Sequence, residues 1–142
     1  MRGNWSGYGR LVAHPIMFDD ADPILGRVRE LALALPDAAE KISHGHPAFY
    51  TTKVFAYYGG SIKVDGTYRQ HERSVLVLVD PAEREALLED ARSYVPAYLG
   101  PSGWIGVDLD DDTDWDEIAE LLDASYRRTA GRRRVARLDG GA

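Results

Sequence analysis

The chain has 142 residues, 44% of them hydrophobic, and a formal net charge of -6, which fits one globular domain burying a single core without covalent staples. It contains no cysteine, so disulfides, thiolate nucleophiles and cysteine-ligated zinc or iron–sulfur sites are excluded. No apolar stretch approaches the roughly 18 residues of a membrane span, and the N-terminus lacks the charged-then-apolar order of a signal peptide. The reading is a soluble, cytoplasmic protein with no membrane partner.

Residues 1–21 read as an N-terminal arm outside the core. Met1 to Ile16 show no apolar period, and Met17, just before Phe18-Asp19-Asp20, is a candidate translation start. Asp22-Pro23 opens a first helix, because the carboxylate accepts an orphan amide hydrogen bond and proline fits the first helical position. Ile24, Leu25, Val28, Leu31, Ala32 and Leu35 form its apolar stripe, ended by Pro36. Short extended segments follow at Glu40–Ser43, Ala48–Thr51 and Val54–Tyr58. Gly59-Gly60 then predicts a two-residue hairpin turn, with Ser61–Val64 returning beside Val54–Tyr58. Asp65–Arg73 is polar and reads as a mobile loop.

Ser74–Val79 carries Val75-Leu76-Val77-Leu78-Val79, the unbroken apolar run of a central strand. Asp80-Pro81 repeats the cap-and-proline device, with Glu83 placed to complete a capping box. Tyr94–Leu99 and Trp104–Leu109 read as strands, and a last helix runs from about Asp114 to Ala130 with Ile118, Leu121, Leu122 and Tyr126 inward. Strands joined by short turns between few helices predict an α+β two-layer sandwich: an antiparallel sheet with helices mainly on one face.

His44-Gly45-His46 brings two imidazoles together, but a metal site needs three or four ligands, so these residues read as a turn or core element and no metal or cofactor is called for. In the acidic run, Asp110, Asp112 and Asp114 imitate the first ligands of a calcium loop. Trp115 stands where that loop needs glycine and Leu121 where it needs glutamate, so the acids read instead as a helix start, with Thr113 or Asp114 as cap. Ser43 beside His44 is an adjacency without a third orienting residue, and no glycine-serine-glycine elbow or phosphate loop accompanies it. The chain reads as non-catalytic.

Ser43-His44-Gly45-His46-Pro47-Ala48-Phe49, then Lys53-Val54-Phe55-Ala56, Trp104-Ile105-Gly106-Val107 and Ser125-Tyr126, in this order, resemble the MmcQ/YjbR family from about Asp22 to Ala130. The resemblance implies a frataxin-like, double-wing α+β domain over residues 22–130, of a kind described as DNA-binding by analogy of fold. Residues 131–142 are left as a basic C-terminal tail.

Two uses follow. In the first, a nucleic-acid-binding module of low sequence specificity, Lys53, Lys63, Arg69, Arg127, Arg128, Arg132, Arg133 and Arg134 contact DNA phosphates. From Tyr126 onward six arginines face one acid, Asp139, so the rest of the chain is more acidic than the whole, and an acidic body repels duplex DNA. In the second, a small molecule or a protein partner occupies an aromatic sheet face of Tyr57, Tyr58 and Trp104 with His44. Strand alternation places Phe55 and Tyr57 on one face and Tyr58 on the other, with Phe49, Phe55 and Trp104 expected in the core.

Overall fold

The computed structural model describes residues 16–140, so the expectation for residues 1–15 lies outside the described residues. Helix α1 (Pro23–Leu33) starts as expected: Asp22 Oδ1 accepts from the Ile24 amide at 2.9 Å, and Pro23 occupies the first turn. Ile24, Leu25, Val28 and Ala32 are its buried stripe.

Strands β1 (Ala39–Ser43) and β2 (His46–Tyr50) form a hairpin whose two turn residues, His44 and Gly45, sit at φ 52° and 86°. Strands β3 (Val54–Val64) and β4 (Thr67–Leu78) form a second, longer hairpin. Its turn is Asp65-Gly66, at φ 52° and 79°, the double positive φ that a I′ turn requires and that Asp-Gly supplies. This corrects two expectations. Gly59-Gly60 is a bulge inside β3, where the register with β4 shifts between Tyr58 and Gly60, and most of the stretch read as a loop, 67–73, is strand. Residues 65–70 are exposed, so the sequence there shows no inward-facing alternation.

After β4, helix α2 (Pro81–Leu87) is capped by Asp80, whose Oδ1 accepts from Ala82 and Glu83. Strand β5 (Ser93–Tyr94) is much shorter than the predicted Tyr94–Leu99, because residues 95–99 leave the sheet and form a loop over β3, held by the Ala97 amide donating to the Ser61 carbonyl at 2.7 Å. Strand β6 (Trp104–Asp108) and helix α3 (Trp115–Thr129) follow, the helix capped by Asp114. Arg132–Leu138, part of the expected tail, forms helix α4.

The sheet is antiparallel with order β1-β2-β3-β4-β6-β5, and the chain is the expected α+β sandwich. The main core lies between the sheet and the helices, where Phe49, Phe55, Val75, Val77 and Ile105 meet Leu25, Val28, Ile118, Leu122 and Tyr126. Phe55 and Tyr126 meet edge to face at 5.4 Å. A second cluster of Leu76, Tyr94 and Trp104, with Tyr57, Ile62 and Leu99 against it, contains no helical residue and marks the sheet face the helices leave uncovered.

Candidate functional site

A cleft of about 650 Å³ opens beside this second cluster. Tyr57 and Leu76, cross-strand partners on β3 and β4, line it. The β1–β2 turn supplies Ser43, His44 and His46 on one side, and the 96–99 loop supplies Pro96 to Leu99 on the other. Tyr68 and Gln70 approach from β4, and Met17 from the N-terminal segment, which is fixed there by its amide donating to the Gly45 carbonyl at 2.9 Å. Among the described residues, the lining is mainly apolar and includes no Asp, Glu, Lys or Arg. That absence is informative in a chain with 23 acidic residues.

Several local features shape the walls. Gly59, at φ 84°, places its missing side chain against His46: a Cβ there would lie 2.8 Å from Nδ1. That Nδ1 is buried with no hydrogen-bond partner. Burial depresses the His46 pKa, and only the Tyr58 backbone opposes it, so His46 is a neutral wall. Tyr57 is braced from outside the cleft by Trp104, ring to ring at 5.2 Å, and burial raises the Tyr57 pKa.

At the rim, Tyr68 and Tyr98 stack with centroids 5.9 Å apart, and their hydroxyl oxygens lie 2.5 Å apart in a hydrogen bond. Tyr98 is 79% exposed and adopts φ 66°, a conformation uncommon for a bulky side chain. Lys63 Nζ stands over the Tyr68 ring at 5.5 Å.

Behind the floor, Tyr94 wedges against Gly60 and Gly106, neither of which leaves room for a Cβ. Its hydroxyl hydrogen-bonds Ser74 Oγ at 2.7 Å, and burial pushes its pKa up. Its ring stacks on His71 at 4.0 Å, and His71 Nδ1 donates to Asp108 Oδ1 at 2.7 Å.

A family model described as YjbR matches residues 33–128, more than half of the chain. The chain belongs to the YjbR family. Among solved structures it is similar to the Deinococcus radiodurans protein DR2400, whose family-model domain is DUF419, with a TM-score of 0.55 and 16% identity over 83% of this chain and 88% of that one. At that identity the likeness speaks to fold alone. No curated protein matches.

The residues that carry the YjbR resemblance have structural positions. His44-Gly45 is the β1–β2 turn, Gly106 receives the Tyr94 ring, and Ser125 joins α3 to the sheet. Of the expected ligand residues, His44 and Tyr57 line the cleft, and Trp104 lies outside the lining and supports Tyr57. Tyr58 does not: it is 1% exposed within the main core, its hydroxyl donating to Asp22 Oδ2 at 3.1 Å. Phe55 shares that core with Tyr58 rather than a face with Tyr57. The irregular register between β2 and β3 at Phe49 and Tyr50 turns both Phe55 and Ala56 toward the helices, which strict alternation does not anticipate.

The expected phosphate-contacting residues fall into two groups. Lys63 and Arg69 sit in the distal part of the β3–β4 hairpin, paired with Tyr68 and Ile62. Lys53 follows Thr52, whose hydroxyl hydrogen-bonds Arg134 of α4, so it belongs with the helical arginines. Among these, Arg127 is paired with Asp123 and Asp139, and Arg134 and Arg137 both with Asp37. Arg128, Arg132 and Arg133 have no ion pair among the described residues.

Sequence reasoning missed Tyr68, Gln70 and Leu99, and counted Tyr98 among the aromatics that could line the uncovered sheet face without placing it at the cleft. Asp65-Gly66 between two short alternating stretches was the signal for Tyr68 and Gln70. None existed for Tyr98, since a positive φ at tyrosine has no sequence mark.

Proposed function

We propose that this YjbR chain is a non-catalytic binding protein whose site is the cleft beside the uncovered sheet face, and that its ligand is a small, mainly apolar molecule. The observation that carries this reading is the cleft itself: about 650 Å³, walled mainly by Tyr57, Leu76, Pro96, Ala97 and Leu99, with a few polar side chains such as Ser43, His46 and Gln70 among them. That volume and this mixture of apolar wall and few polar groups are typical of small-molecule sites.

A thermal-shift screen against a broad metabolite library tests the reading. A ligand at 100 times its Kd adds about 2.7 kcal/mol of stability, and Ala97→Phe, which fills the cleft, should abolish the shift. A library without a hit, or hits insensitive to Ala97→Phe, would count against it.

Nucleic-acid binding is the second reading, favoured by one observation: Arg128 and Arg132 border a shared shallow depression on α3 and α4, with no internal partner among the described residues. Against it stand the internal pairing of Arg127, Arg134 and Arg137 and the net charge of -6. Fluorescence anisotropy with mixed-sequence single- and double-stranded DNA at two salt concentrations separates the readings. Binding that vanishes when Arg128, Arg132 and Arg133 are changed to Gln assigns it to this helical patch.

A further inference from the structure

We infer that the cleft takes an apolar carboxylic acid, with its carboxylate at the rim beside Lys63 and the Tyr68–Tyr98 hydroxyl pair; this rests on the cleft reading above.

Three observations converge on an anionic head group. First, the lining contains no carboxylate among the described residues although acids outnumber Lys and Arg by 23 to 17 over the chain, so none of these wall residues repels an anion. Second, Lys63 has no ion pair among the described residues, and its ammonium stands over Tyr68 at 5.5 Å. Its charge also acts on the Tyr98 hydroxyl, opposing the rise that the Tyr68 hydrogen bond imposes there. The ammonium has three donors and no acceptor.

Third, the Tyr68 and Tyr98 hydroxyls are 2.5 Å apart. One donates to the other, and the accepting hydroxyl keeps its own hydrogen for an outside acceptor. The rim is therefore rich in donors, while Tyr57, Leu76, Pro96 and Leu99 offer apolar surface deeper in. Aromatic rims also bind ammonium ligands, but here Lys63 already occupies the Tyr68 ring and no lining carboxylate would balance a second cation.

Octanoate and its neutral counterpart octanamide probe this directly, by calorimetric titration of the full chain at neutral pH. The expected result is about tenfold tighter binding of octanoate, the size of one charge-assisted hydrogen bond at an exposed rim. Lys63→Gln should narrow the gap between the two probes without weakening octanamide, leaving the smaller preference that the tyrosine hydroxyl supplies. Equal affinity in the unaltered chain would overturn the carboxylate inference and leave the cleft reading intact. A preference that Lys63→Gln leaves undiminished would remove Lys63 from the site and overturn the inference as stated. If neither probe binds while neutral library compounds do, the inference falls and the cleft stands; if nothing binds, both fall.

Discussion

Arg73 Nε donates to Asp22 Oδ2 at 2.9 Å, tying strand β4 to the cap of helix α1 across 51 residues of sequence. The same carboxylate caps Ile24 and accepts the Tyr58 hydroxyl. Burial alone would raise its pKa, but the Arg73, Ile24 and Tyr58 hydrogen bonds outweigh it and hold the carboxyl below its ordinary value. Asp22→Ala should therefore cost about 2 kcal/mol in urea unfolding, combining a lost cap with a stranded Tyr58 hydroxyl. Because the native pKa is the lower one, the ionised carboxylate stabilises the fold above the unfolded value of about 3.9 and the benefit fades as pH drops through the native value. The gap between the unaltered chain and Asp22→Asn should shrink below about pH 4.

Ser125 replaces a ladder hydrogen bond with its side chain. Its Oγ donates to the Phe55 carbonyl at 2.5 Å and accepts from the Leu78 amide at 2.8 Å, one position beyond the Ala56–Val77 pair of β3 and β4. Ser125→Ala leaves both backbone groups without a partner and should destabilise by about 2–3 kcal/mol. Equilibrium urea titration with an unchanged slope checks it.

At Gly106 an added Cβ would overlap the Tyr94 ring. Gly106→Ala in β6, between β4 and β5, should cost about 2 kcal/mol by overpacking. Pairing it with Tyr94→Leu, which removes the obstructing ring, should recover part of that loss. A fully additive double mutant would show that the clash is not the cause.

His46 is held neutral by burial, so its native pKa lies below that of the unfolded chain. Unfolded chains then bind the extra proton first, and this residue's contribution to stability drops as pH falls below about 6.5. Thermal unfolding from pH 7.5 to 5.5 should show a decline that His46→Phe reduces.

Asp37, at φ 63°, pairs with Arg134 and Arg137 and so clasps α4 to the turn after α1. The Arg137 and Arg134 hydrogen bonds lower its pKa. These are exposed, solvent-screened pairs, so Asp37→Asn should leave the global urea midpoint essentially unchanged. Asparagine tolerates the positive φ. The expected signal is local: faster amide exchange confined to residues 132–138, reproduced in the unaltered chain by high salt.

What the sequence disclosed followed the range of the interaction. Asp22-Pro23 and Asp80-Pro81 start their helices where expected because capping is decided within four residues. Val75–Val79 announced a central strand because β4 is flanked by β3 and β6, and Val75, Leu76 and Val77 are all buried. The β3–β4 hairpin was misplaced because two glycine-containing pairs competed as turns, and only strand pairing distinguishes a bulge at Gly59 from a turn at Asp65-Gly66. The arginine run hid α4, whose apolar positions, Val135 and Leu138, are too few to show a period. For the cleft, His44 and Tyr57 were legible, each placed by local turn or strand chemistry. Tyr68 and Tyr98 were not, because 30 residues separate them and only the folded 96–99 loop brings their rings together.

The near-sequential strand order has a consequence for synthesis on the ribosome. Strands β1 to β4 can zip up from neighbouring hairpins as they emerge, since their pairings span little sequence. The residues that cover their inner face, Ile118, Leu121, Leu122 and Tyr126, are made dozens of residues later. Until then Phe49, Phe55, Val75 and Val77 have only the α1 residues Leu25 and Val28 to cover them, which leaves the kind of exposed apolar surface that recruits chaperones or other nascent chains. Closure is registered only when the Tyr126 hydroxyl reaches the Pro36 carbonyl, 90 residues back and now 2.7 Å away. A chain stopped short of α3 is thus a half-covered sheet rather than a smaller version of this fold.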